Sequence, residues 1–367
     1  MHVVFDGSVV RPPFSGVHLS VRAELAATAP LMEKATILAL DEALGRAVRT
    51  HPHCVLRPPP SWTRSVAGRI LWQQFSLSRI CHSLGADVLH APAYTAPLFS
   101  STPCVLNVHD IIALEHPRLC APMNVAHMRL FLPRSARRAA ACIVSTNHVA
   151  ERLCAVVGIP RERVHVVPLG VDAARFQRES AIPGEVGVTP RRYLLFTGNL
   201  EPKKGLDTLL DAYPRIARCT SLELVLAGRA AWRSHRLRRR IATYDGPGRI
   251  HALGRVPGAQ LPALYQHAFA FAFPSVCEGF GMPVLEAMAA GCPVVHSDHP
   301  AVLEAAGGAG VSFPVGDADA LARAVCALHD SPTGREELAE SGRQQAMEHT
   351  WGRWAIHAAE ILRANSR

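Results

Sequence analysis

The feature that most constrains this chain is the alternation of short apolar runs with segments of helical periodicity along the whole sequence. Short apolar runs predict buried strands, and strands that alternate with helices are typical of parallel sheets. The predicted strands span residues 3–5, 88–90, 104–108, 142–145, 164–167, 193–197, 222–227, 250–253, 269–273, 294–297 and 311–313. The sequence therefore predicts an α/β protein whose parallel sheets are covered by helices.

One segment interrupts this alternation, because residues 168–192 are rich in proline, glycine and charge and show no sustained periodicity. We interpret 171–192 as a linker between a domain over 1–170 and a second domain over 193–348. The remaining 349–367 form a helical segment that we expect to cross back to the N-terminal domain. Two doubly wound, Rossmann-like domains joined in this way would face a central cleft at the carboxyl ends of their strands.

The stretch CEGFGMPVLEAMAAGCPVV, residues 277–295, places Glu278 and Glu286 on either side of a Gly-Phe-Gly turn between a predicted strand and a helix. Backbone amides of 280–282 at the helix start would face an anion. Carboxylates repel phosphate but accept hydrogen bonds from hydroxyl pairs. An anion flanked by diols describes a nucleotide sugar. The alternative is an ordinary βαβ unit with one capping and one surface glutamate.

Further glycines follow predicted strands at Gly16, Gly198 and Gly228, where backbone can approach a ligand closely. Lys203 and Lys204 follow the second of these and could place positive charge on a diphosphate, or could form a solvated pair. The sequence contains neither G-x-G-x-x-G nor a Walker A motif, which argues against nicotinamide dinucleotides and P-loop chemistry.

The formal net charge of +9 raises the question of an anionic partner. The basic runs 129–138 and 233–240 lack interleaved stacking aromatics, so we do not expect nucleic acid to be the partner. The first run mixes arginine with large apolar residues, which suits a helix on an anionic membrane surface or a partly exposed packed helix. The second run is typical of a solvated helix face.

The ten cysteines form no Cys-x-x-Cys pair, and we interpret them as reduced, mostly buried thiols of a cytoplasmic protein.

No apolar stretch reaches the length of a membrane span, and the chain enters its first strand without a basic leader. No Asp-x-Asp cluster suits a magnesium ion, so we expect no metal.

The run GRVPGAQLPALYQHAFAFAFPSVCEGFGMPVLEAMAAGCPVV resembles the C-terminal signature of the retaining glycosyltransferases of family 4, which have the GT-B fold. Its E-x7-E element is Glu278 and Glu286. TGNLEPKKG resembles the diphosphate loop of that family, and VLNVHDIIALEHP its histidine-containing strand end. The resemblance covers essentially the whole chain and is most specific in the C-terminal half. It implies transfer of a hexose from a nucleotide-diphosphate sugar to a glycan or lipid-linked glycan acceptor.

The resemblance implies catalytic roles for His109, Lys204 and Glu278. Glu278 would hold hydroxyls of the donor hexose, Glu286 those of the ribose, and Lys204 the leaving diphosphate. His109 would face the reacting carbon. The other donor-binding residues that the resemblance implies are Gly16, Gly198, Asn199, Lys203, Gly228, Val256, Gly279, Phe280, Gly281 and Met282. No cofactor is implied beyond the donor, for which the NLEPKKG loop favours GDP-mannose.

The chain departs from the family pattern at two loops. Asn199 stands where arginine is common, and His18 and Leu19 stand where the family often has glycine and arginine. These departures leave a catalytically degenerate nucleotide-sugar-binding subunit as one alternative. The others are a nucleotide-sugar 2-epimerase, against which the Glu278–Glu286 block with Lys204 argues, and a basic nucleic-acid-binding protein. We expect a cytoplasmic protein. Its basic, apolar segment 123–138 favours a lipid-linked acceptor at the inner membrane face, as in cell-surface polysaccharide synthesis.

Overall fold

The computed structural model describes residues 1–12, 14–182, 184 and 187–367. The chain divides into two compact units. The first comprises Met1–Pro117, Pro122–Gly170 and Trp351–Arg367, and the second comprises Arg118–Ala121 and Val171–Thr350. Each unit is an α/β layer structure with its own sheet, and each is described by itself.

The first sheet has the order β3-β2-β1-β4-β5-β6-β7 and the second the order β10-β9-β8-β11-β12-β13. Every strand pair in both sheets is parallel. The strands are β1 (His2–Phe5), β2 (Lys34–Leu38), β3 (Cys54–Arg57), β4 (Val88–Ala91), β5 (Cys104–Val108), β6 (Ala141–Val144), β7 (Val164–Val166), β8 (Tyr193–Thr197), β9 (Glu223–Ala227), β10 (Ile250–Gly254), β11 (Ala270–Phe273), β12 (Val294–Ser297) and β13 (Val311–Phe313).

Helices connect these strands, as parallel pairing requires. They are α1 (Gly16–Thr28), α2 (Glu42–Val48), α3 (Val66–Phe75), α4 (Leu77–Ser83), α5 (Ile112–Glu115), α6 (Pro122–Arg138), α7 (Asn147–Val157), α8 (Ala173–Gln177), α9 (Leu206–Thr220), α10 (His235–Ala242), α11 (Leu261–Gln266), α12 (Met282–Ala289), α13 (Pro300–Ala306), α14 (Ala318–Asp330), α15 (Pro332–Glu348) and α16 (Trp351–Ala364). In the described part of the chain, none of them is long and apolar enough to cross a membrane.

The predicted α/β architecture with parallel sheets is confirmed. All eleven predicted strands occur, and each lies within one residue of its predicted ends. The structure adds β2 and β3, which the sequence analysis did not predict. The predicted linker 171–192 contains the short helix α8, whose Phe176 is buried against the ring of Tyr265 with centroids 5.9 Å apart. Residues 183, 185 and 186 of that predicted linker lie outside the described residues.

The strand orders decide where ligands can bind. In each sheet the winding direction reverses once, between β1 and β4 in the first and between β8 and β11 in the second. At such a reversal the two following loops diverge and leave a crevice at the carboxyl edge of the sheet. Functional side chains are therefore expected at these two edges.

The prediction that all cysteines are reduced thiols is wrong for one pair. Cys219 in α9 and Cys326 in α14 form a disulfide, with Cα atoms 6.2 Å apart and 107 residues between them in sequence. The two helices pack against each other on the second sheet, so contact between these cysteines follows from tertiary packing rather than from any local spacing. Of the other eight cysteines, five are buried.

A buried polar chain connects α1 to the first sheet. The Nδ2 atom of Asn107 donates to Oε2 of Glu24 at 2.8 Å, and Nε2 of His90 lies 2.9 Å from Oδ1 of Asn107. Glu24 is completely buried. Burial raises the pKa of Glu24 to about 8, against a smaller lowering by the Asn107 hydrogen bond. The carboxyl group is therefore largely protonated in the folded chain at neutral pH.

Replacing Glu24 by glutamine should change how stability depends on pH. Because the folded-state pKa of Glu24 lies above its unfolded value of 4.5, its carboxyl group stabilises the folded chain at acidic pH, and that stabilisation is lost as pH rises towards 8. We expect the free energy of unfolding of the wild type to fall, relative to Glu24→Gln, by about 1.4 kcal/mol per pH unit across this window. Glutamine still offers an oxygen to Asn107.

Chemical denaturation at several pH values measures this difference. Glu162→Gln, at an exposed glutamate of the same unit, is the matched control and should follow the wild type. Parallel pH profiles for the wild type and Glu24→Gln would show that Glu24 is not held protonated.

Candidate functional site

The second sheet presents two loops at its reversal point, one after β8 and one after β11. These loops pack backbone to backbone, because a Cβ atom added at Gly205 would lie 1.8 Å from the carbonyl oxygen of Pro274. Gly205 has φ of +65°, a left-handed conformation that glycine adopts without strain. The amide of Val276 also donates to the carbonyl of Lys203 at 2.8 Å. The lysines of one loop are thereby fixed beside the glutamate of the other.

The predicted glycine turns after β8 and β9 meet at the same edge. A Cβ atom at Gly228 would lie 1.7 Å from the carbonyl oxygen of Gly198, so the second turn fits only without a side chain. Gly198 has φ of +141° and donates its amide to the carbonyl of Ala227 at 3.0 Å. Both turns therefore bring bare backbone to this edge of the sheet.

Lys204 and Glu278 form the central ion pair of this edge. The Nζ atom of Lys204 lies 2.6 Å from Oε1 of Glu278, and both side chains are largely buried, with exposures of 15% and 12%. Ser275 Oγ donates to the same oxygen at 2.7 Å. Both of these contacts reach Oε1, so Oε2 keeps acceptor capacity for a hydroxyl group.

Electrostatics keep Glu278 ionised despite its burial. Desolvation alone would raise the pKa of Glu278, but the charges of Lys204 and Lys203 and the hydrogen bonds from Lys204 and Ser275 together hold the pKa below its ordinary value. A carboxylate of this kind is a permanent hydrogen-bond acceptor at neutral pH.

Glu286 lies in the middle of α12, in a different environment. Tyr265 donates its hydroxyl to Oε2 of Glu286 at 3.1 Å, and the same hydroxyl lies 2.5 Å from Oγ1 of Thr197. Burial raises the pKa of Glu286 to about 7, while the Tyr265 hydrogen bond and the charge of Arg175 act in the opposite direction. The site thus pairs one permanently ionised carboxylate with one that titrates near neutrality.

The Gly-Phe-Gly turn fixes the start of α12. Gly281 caps the helix with φ of +125°, and Met282 is the first helical residue. Phe280 is buried and its ring lies edge-on to that of His349, with centroids 5.9 Å apart. Gly279 precedes it in the same turn. Phe280 therefore anchors the turn, so that the first amides of α12 stand at the edge that carries Glu278.

The remaining predicted donor residues of this unit lie around the same edge. Asn199 follows Gly198, and its Oδ1 accepts from Nε of the exposed Arg229 at 3.4 Å. Lys203 pairs with Glu201 at 3.6 Å. Val256 is half-buried in the loop that follows β10. The structure thus places a second cation, Arg229, beside the asparagine that stands where arginine is common.

His109 lies in the first unit, directly after β5. It is buried, and its Nε2 lies 2.8 Å from the carbonyl oxygen of Pro92. Burial lowers the pKa of His109. The hydrogen bond to the Pro92 carbonyl and the charge of Asp110 act in the opposite direction but are smaller, so the ring is neutral at pH 7. Because a carbonyl can only accept, Nε2 carries the proton and Nδ1 is an acceptor. Asp110 accepts from the Tyr94 hydroxyl at 2.8 Å and from the Ile112 amide at 3.0 Å.

Gly16, also in the first unit, is the first residue of α1, and a Cβ atom there would meet nothing within 4 Å. His18 completes a capping box with Ser15, because each backbone amide donates to the side chain of the other residue. The departure from the family pattern at His18 therefore has a structural reason, since this histidine caps the helix.

Sequence reasoning missed Tyr265 and Ser275 as members of the site. Both contact the predicted glutamates, but a contact across 21 residues, such as Tyr265 to Glu286, leaves no mark in local spacing. Ser275 could have been found, since it lies three residues before Glu278 in the same turn.

Comparison with known proteins identifies the class. Residues 191–331 match the family model described as "Glycosyl transferases group 1", and residues 34–175 match the model "Glycosyltransferase Family 4". The O-antigen chain mannosyltransferase B of Escherichia coli is 28% identical over 270 residues, which cover 72% of this chain and 71% of that protein. A phosphatidyl-myo-inositol mannosyltransferase of Mycolicibacterium smegmatis is 32% identical over 204 residues, covering 54% of this chain and 50% of the relative.

Solved structures agree in fold over the whole chain. HepE of Anabaena, in complex with UDP-glucose, has a TM-score of 0.76 at 19% identity and covers 99% of this chain and 100% of its own. WaaG, a glycosyltransferase involved in lipopolysaccharide biosynthesis, has a TM-score of 0.70 at 17% identity. The match covers 98% of this chain and 99% of the WaaG chain. The fold is therefore that of the GT-B glycosyltransferases, with two parallel-sheet α/β domains, and the predicted fold class is confirmed. The chain belongs to glycosyltransferase family 4, and it is a transferase.

The backbone contact between the two loops can be tested by a pair of alanine substitutions. Gly205 and Gly254 both have φ of +65°, but an added Cβ meets the Pro274 carbonyl only at Gly205, and meets nothing within 4 Å at Gly254. We expect Gly254→Ala to cost about 1 kcal/mol of unfolding free energy, from the left-handed conformation alone. Gly205→Ala should cost more than about 3 kcal/mol, because backbone must also move. Chemical denaturation of both variants measures the difference, and equal costs would contradict the close packing.

Proposed function

We propose that this protein is a retaining, metal-independent mannosyltransferase that uses GDP-mannose and acts on a glycan or lipid-linked glycan acceptor. The observation that carries the proposal is the pair of carboxylates at α12, one ionised and held by Lys204, the other near neutrality and held by Tyr265. Two acceptors of hydrogen bonds on either side of a helix start suit the two hydroxyl-rich ends of a nucleotide sugar.

Within this proposal, each side chain has a distinct task. Oε2 of Glu278 accepts from hydroxyls of the donor hexose, and Glu286 accepts from the ribose hydroxyls. The first amides of α12, with Lys203, Lys204 and Arg229, receive the diphosphate. Lys204 is then shared between Glu278 and the phosphate, which keeps the lysine ordered before the donor arrives.

The chemical step needs charge stabilisation more than it needs a nucleophile. The bond between the anomeric carbon and the phosphate oxygen breaks, the acceptor oxygen bonds to that carbon from the same face, and the acceptor proton passes to the leaving phosphate. Negative charge grows on the diphosphate, where preorganised lysines and helix amides are most effective. The role proposed for His109 is that of a neutral ring, whose Nδ1 atom can accept a hydrogen bond from a sugar hydroxyl without adding positive charge.

The choice of mannose rests on two supports. The NLEPKKG loop resembles that of family members using GDP-mannose, and several relatives are named as mannosyltransferases, among them the O-antigen, phosphatidyl-myo-inositol and MMP enzymes. The runner-up is a UDP-glucose donor, since HepE has been solved with that molecule. Of the acceptors, a lipid-linked glycan of a cell-surface polysaccharide is favoured by the surface of α6.

That surface combines apolar and basic side chains. Met123 and Leu130 on α6 are exposed by 80% and 49%, and Arg129 and Arg134 are exposed on the same helix. Met128 and Leu132 are buried and fix the helix to its unit. Such a face can contact an anionic membrane peripherally, with the protein otherwise in the cytoplasm. The second basic run is largely exposed in α10, and its Arg240 is engaged by Asp207 and Asp211.

A thermal-shift panel tests the donor site. We expect one of GDP-mannose, UDP-glucose, ADP-glucose and dTDP-glucose to raise the melting temperature of the wild type by several degrees. Glu286→Gln should lose most of that shift, because a neutral amide accepts hydroxyl hydrogen bonds more weakly than a carboxylate. Glu336→Gln, at an exposed glutamate on α15, is the matched control and should retain it.

The panel has three informative outcomes. Stabilisation by GDP-mannose, followed by release of GDP on adding a glycan acceptor, supports the proposal in full. If UDP-glucose alone stabilises the protein, the proposed donor changes from GDP-mannose to UDP-glucose, and the proposed donor-binding residues stay the same. A shift that is equal in the wild type and Glu286→Gln would remove Glu286 from the donor site and sink the proposal as stated.

Donor binding should also depend on pH, because the pKa of Glu286 lies at about 7. The ionised carboxylate accepts both ribose hydroxyls, whereas the protonated acid binds them less well. We expect the affinity for GDP-mannose to fall roughly tenfold between pH 8 and pH 6, and Glu286→Gln to remove this dependence. Calorimetric titration measures both. A steep pH dependence that survives in Glu286→Gln would assign the titration to another group.

A further inference from the structure

The first unit contains a buried arginine that the donor site does not use. Arg69 lies on α3 and is only 8% exposed. Its Nε atom is buried, and none of the residues that the structure describes hydrogen-bonds to it. In the described part of the chain, no carboxylate approaches its guanidinium closely enough to form an ion pair. A charged side chain in this position is costly unless an anion compensates it.

The surroundings of Arg69 are short of negative charge. Its electrostatic neighbours are Asp6, Arg11 and His127. Asp6, the one carboxylate among them, already accepts from Gln73 Nε2 at 2.7 Å and from the amide and hydroxyl of Ser8. Arg11 donates to the carbonyl of Arg64 in the turn before α3, which holds this second guanidinium at the same place. Burial and the charge of Arg11 lower the pKa of Arg69, although Asp6 opposes them.

This cluster lies where the first sheet reverses its winding. Asp6 directly follows β1, and its amide donates to the carbonyl of His90 in β4 at 2.9 Å. Gln73, one turn after Arg69 on α3, is tied to the loop after β4 through two hydrogen bonds with Thr95. The cluster is therefore at the carboxyl edge that also carries His109, after the adjacent strand β5.

We propose that Arg69, with Arg11 and His127, binds an oxyanion of the acceptor, a phosphate or carboxylate group, at the carboxyl edge of the first sheet. The inference rests on the proposed glycosyltransferase function, because it names the chemical class of the molecule that the first unit receives. A guanidinium matches both oxyanions in a bidentate geometry, and the uncompensated charge makes an uncharged acceptor a poor partner. His127 adds a ring whose Nδ1 is buried and unpartnered among the described residues.

The test compares Arg69→Gln with the wild type and with Arg79→Gln, an exposed arginine on α4 that serves as the matched control. Melting temperature is titrated with inorganic phosphate and separately with glucuronate, against sodium chloride of equal ionic strength. We expect at least one oxyanion to stabilise the wild type, and its half-effective concentration to rise at least tenfold in Arg69→Gln but not in Arg79→Gln. Phosphate bound at Lys203 and Lys204 should stabilise all three proteins equally. A difference in half-effective concentration between Arg69→Gln and the other two proteins therefore measures binding to the first unit.

Response to phosphate alone identifies a phosphate-bearing acceptor, and response to glucuronate alone a carboxylate-bearing one. The melting temperature without oxyanion gives a second readout. If Arg69 serves to bind a ligand, Arg69→Gln should melt at no lower temperature than the wild type. If Arg69 serves to stabilise the fold, the melting temperature of Arg69→Gln should fall. An unchanged oxyanion response in Arg69→Gln would overturn the proposal. If that variant does not fold, Arg11→Gln, at a half-buried loop residue, takes its place with an expected loss of at least threefold.

The same variants separate this inference from the donor site. Arg69→Gln should bind GDP-mannose as the wild type does, since the donor residues belong to the second unit. Intact donor binding without an Arg69-dependent oxyanion response would overturn the acceptor inference alone. If the wild type binds no donor, or binds it as tightly as Glu286→Gln does, the proposed function is overturned instead.

Discussion

The candidate site depends on one backbone contact, the packing of Gly205 against the carbonyl of Pro274. Neighbouring parallel strands bring the loops after β8 and β11 to the same edge, but side chains would hold these loops apart. With no Cβ at Gly205, the loops close until Lys204 reaches Glu278 at 2.6 Å. The ion pair is thus a consequence of backbone geometry, and the glycine is required by a close approach rather than by flexibility.

The two glutamates show how the fold gives one residue type two electrostatic states. Glu278 is surrounded by donors and lysines, so its charge is stabilised although it is buried. Glu286 has one tyrosine hydroxyl and a more distant arginine, so burial prevails and its pKa rises to about 7. In the donor site proposed above, the ionised carboxylate would offer fixed hydrogen-bond acceptors, whereas the carboxylate near neutrality could bind hydroxyls in either protonation state. Environment, more than sequence spacing, separates their roles.

The sequence was most informative where physical constraints are local. Buried parallel strands leave continuous apolar runs, so eleven strands could be predicted, whereas β3 is a short edge strand with alternating exposure and β2 follows a helix-like stretch. Glu278, Glu286 and the glycine turns were recognisable from the motif around them. Tyr265, the Cys219–Cys326 disulfide and the buried Arg69 were not, because each acquires its meaning from a neighbour that is distant in sequence.

The cations at the two reversal points differ in a way that bears on function. Lys204 is paired with Glu278 of its own unit, so the second unit can fold around this lysine without a ligand, and the proposed diphosphate would share the lysine with Glu278. No carboxylate forms an ion pair with Arg69 in the described part of the chain; Asp6 acts on it electrostatically, and the carboxylate oxygens of Asp6 are hydrogen-bonded to Ser8 and Gln73. A chain that keeps an uncompensated buried charge gives up stability at that point. The proposed acceptor would supply the missing negative charge. Its binding would then stabilise the guanidinium of Arg69, which the folded chain alone does not.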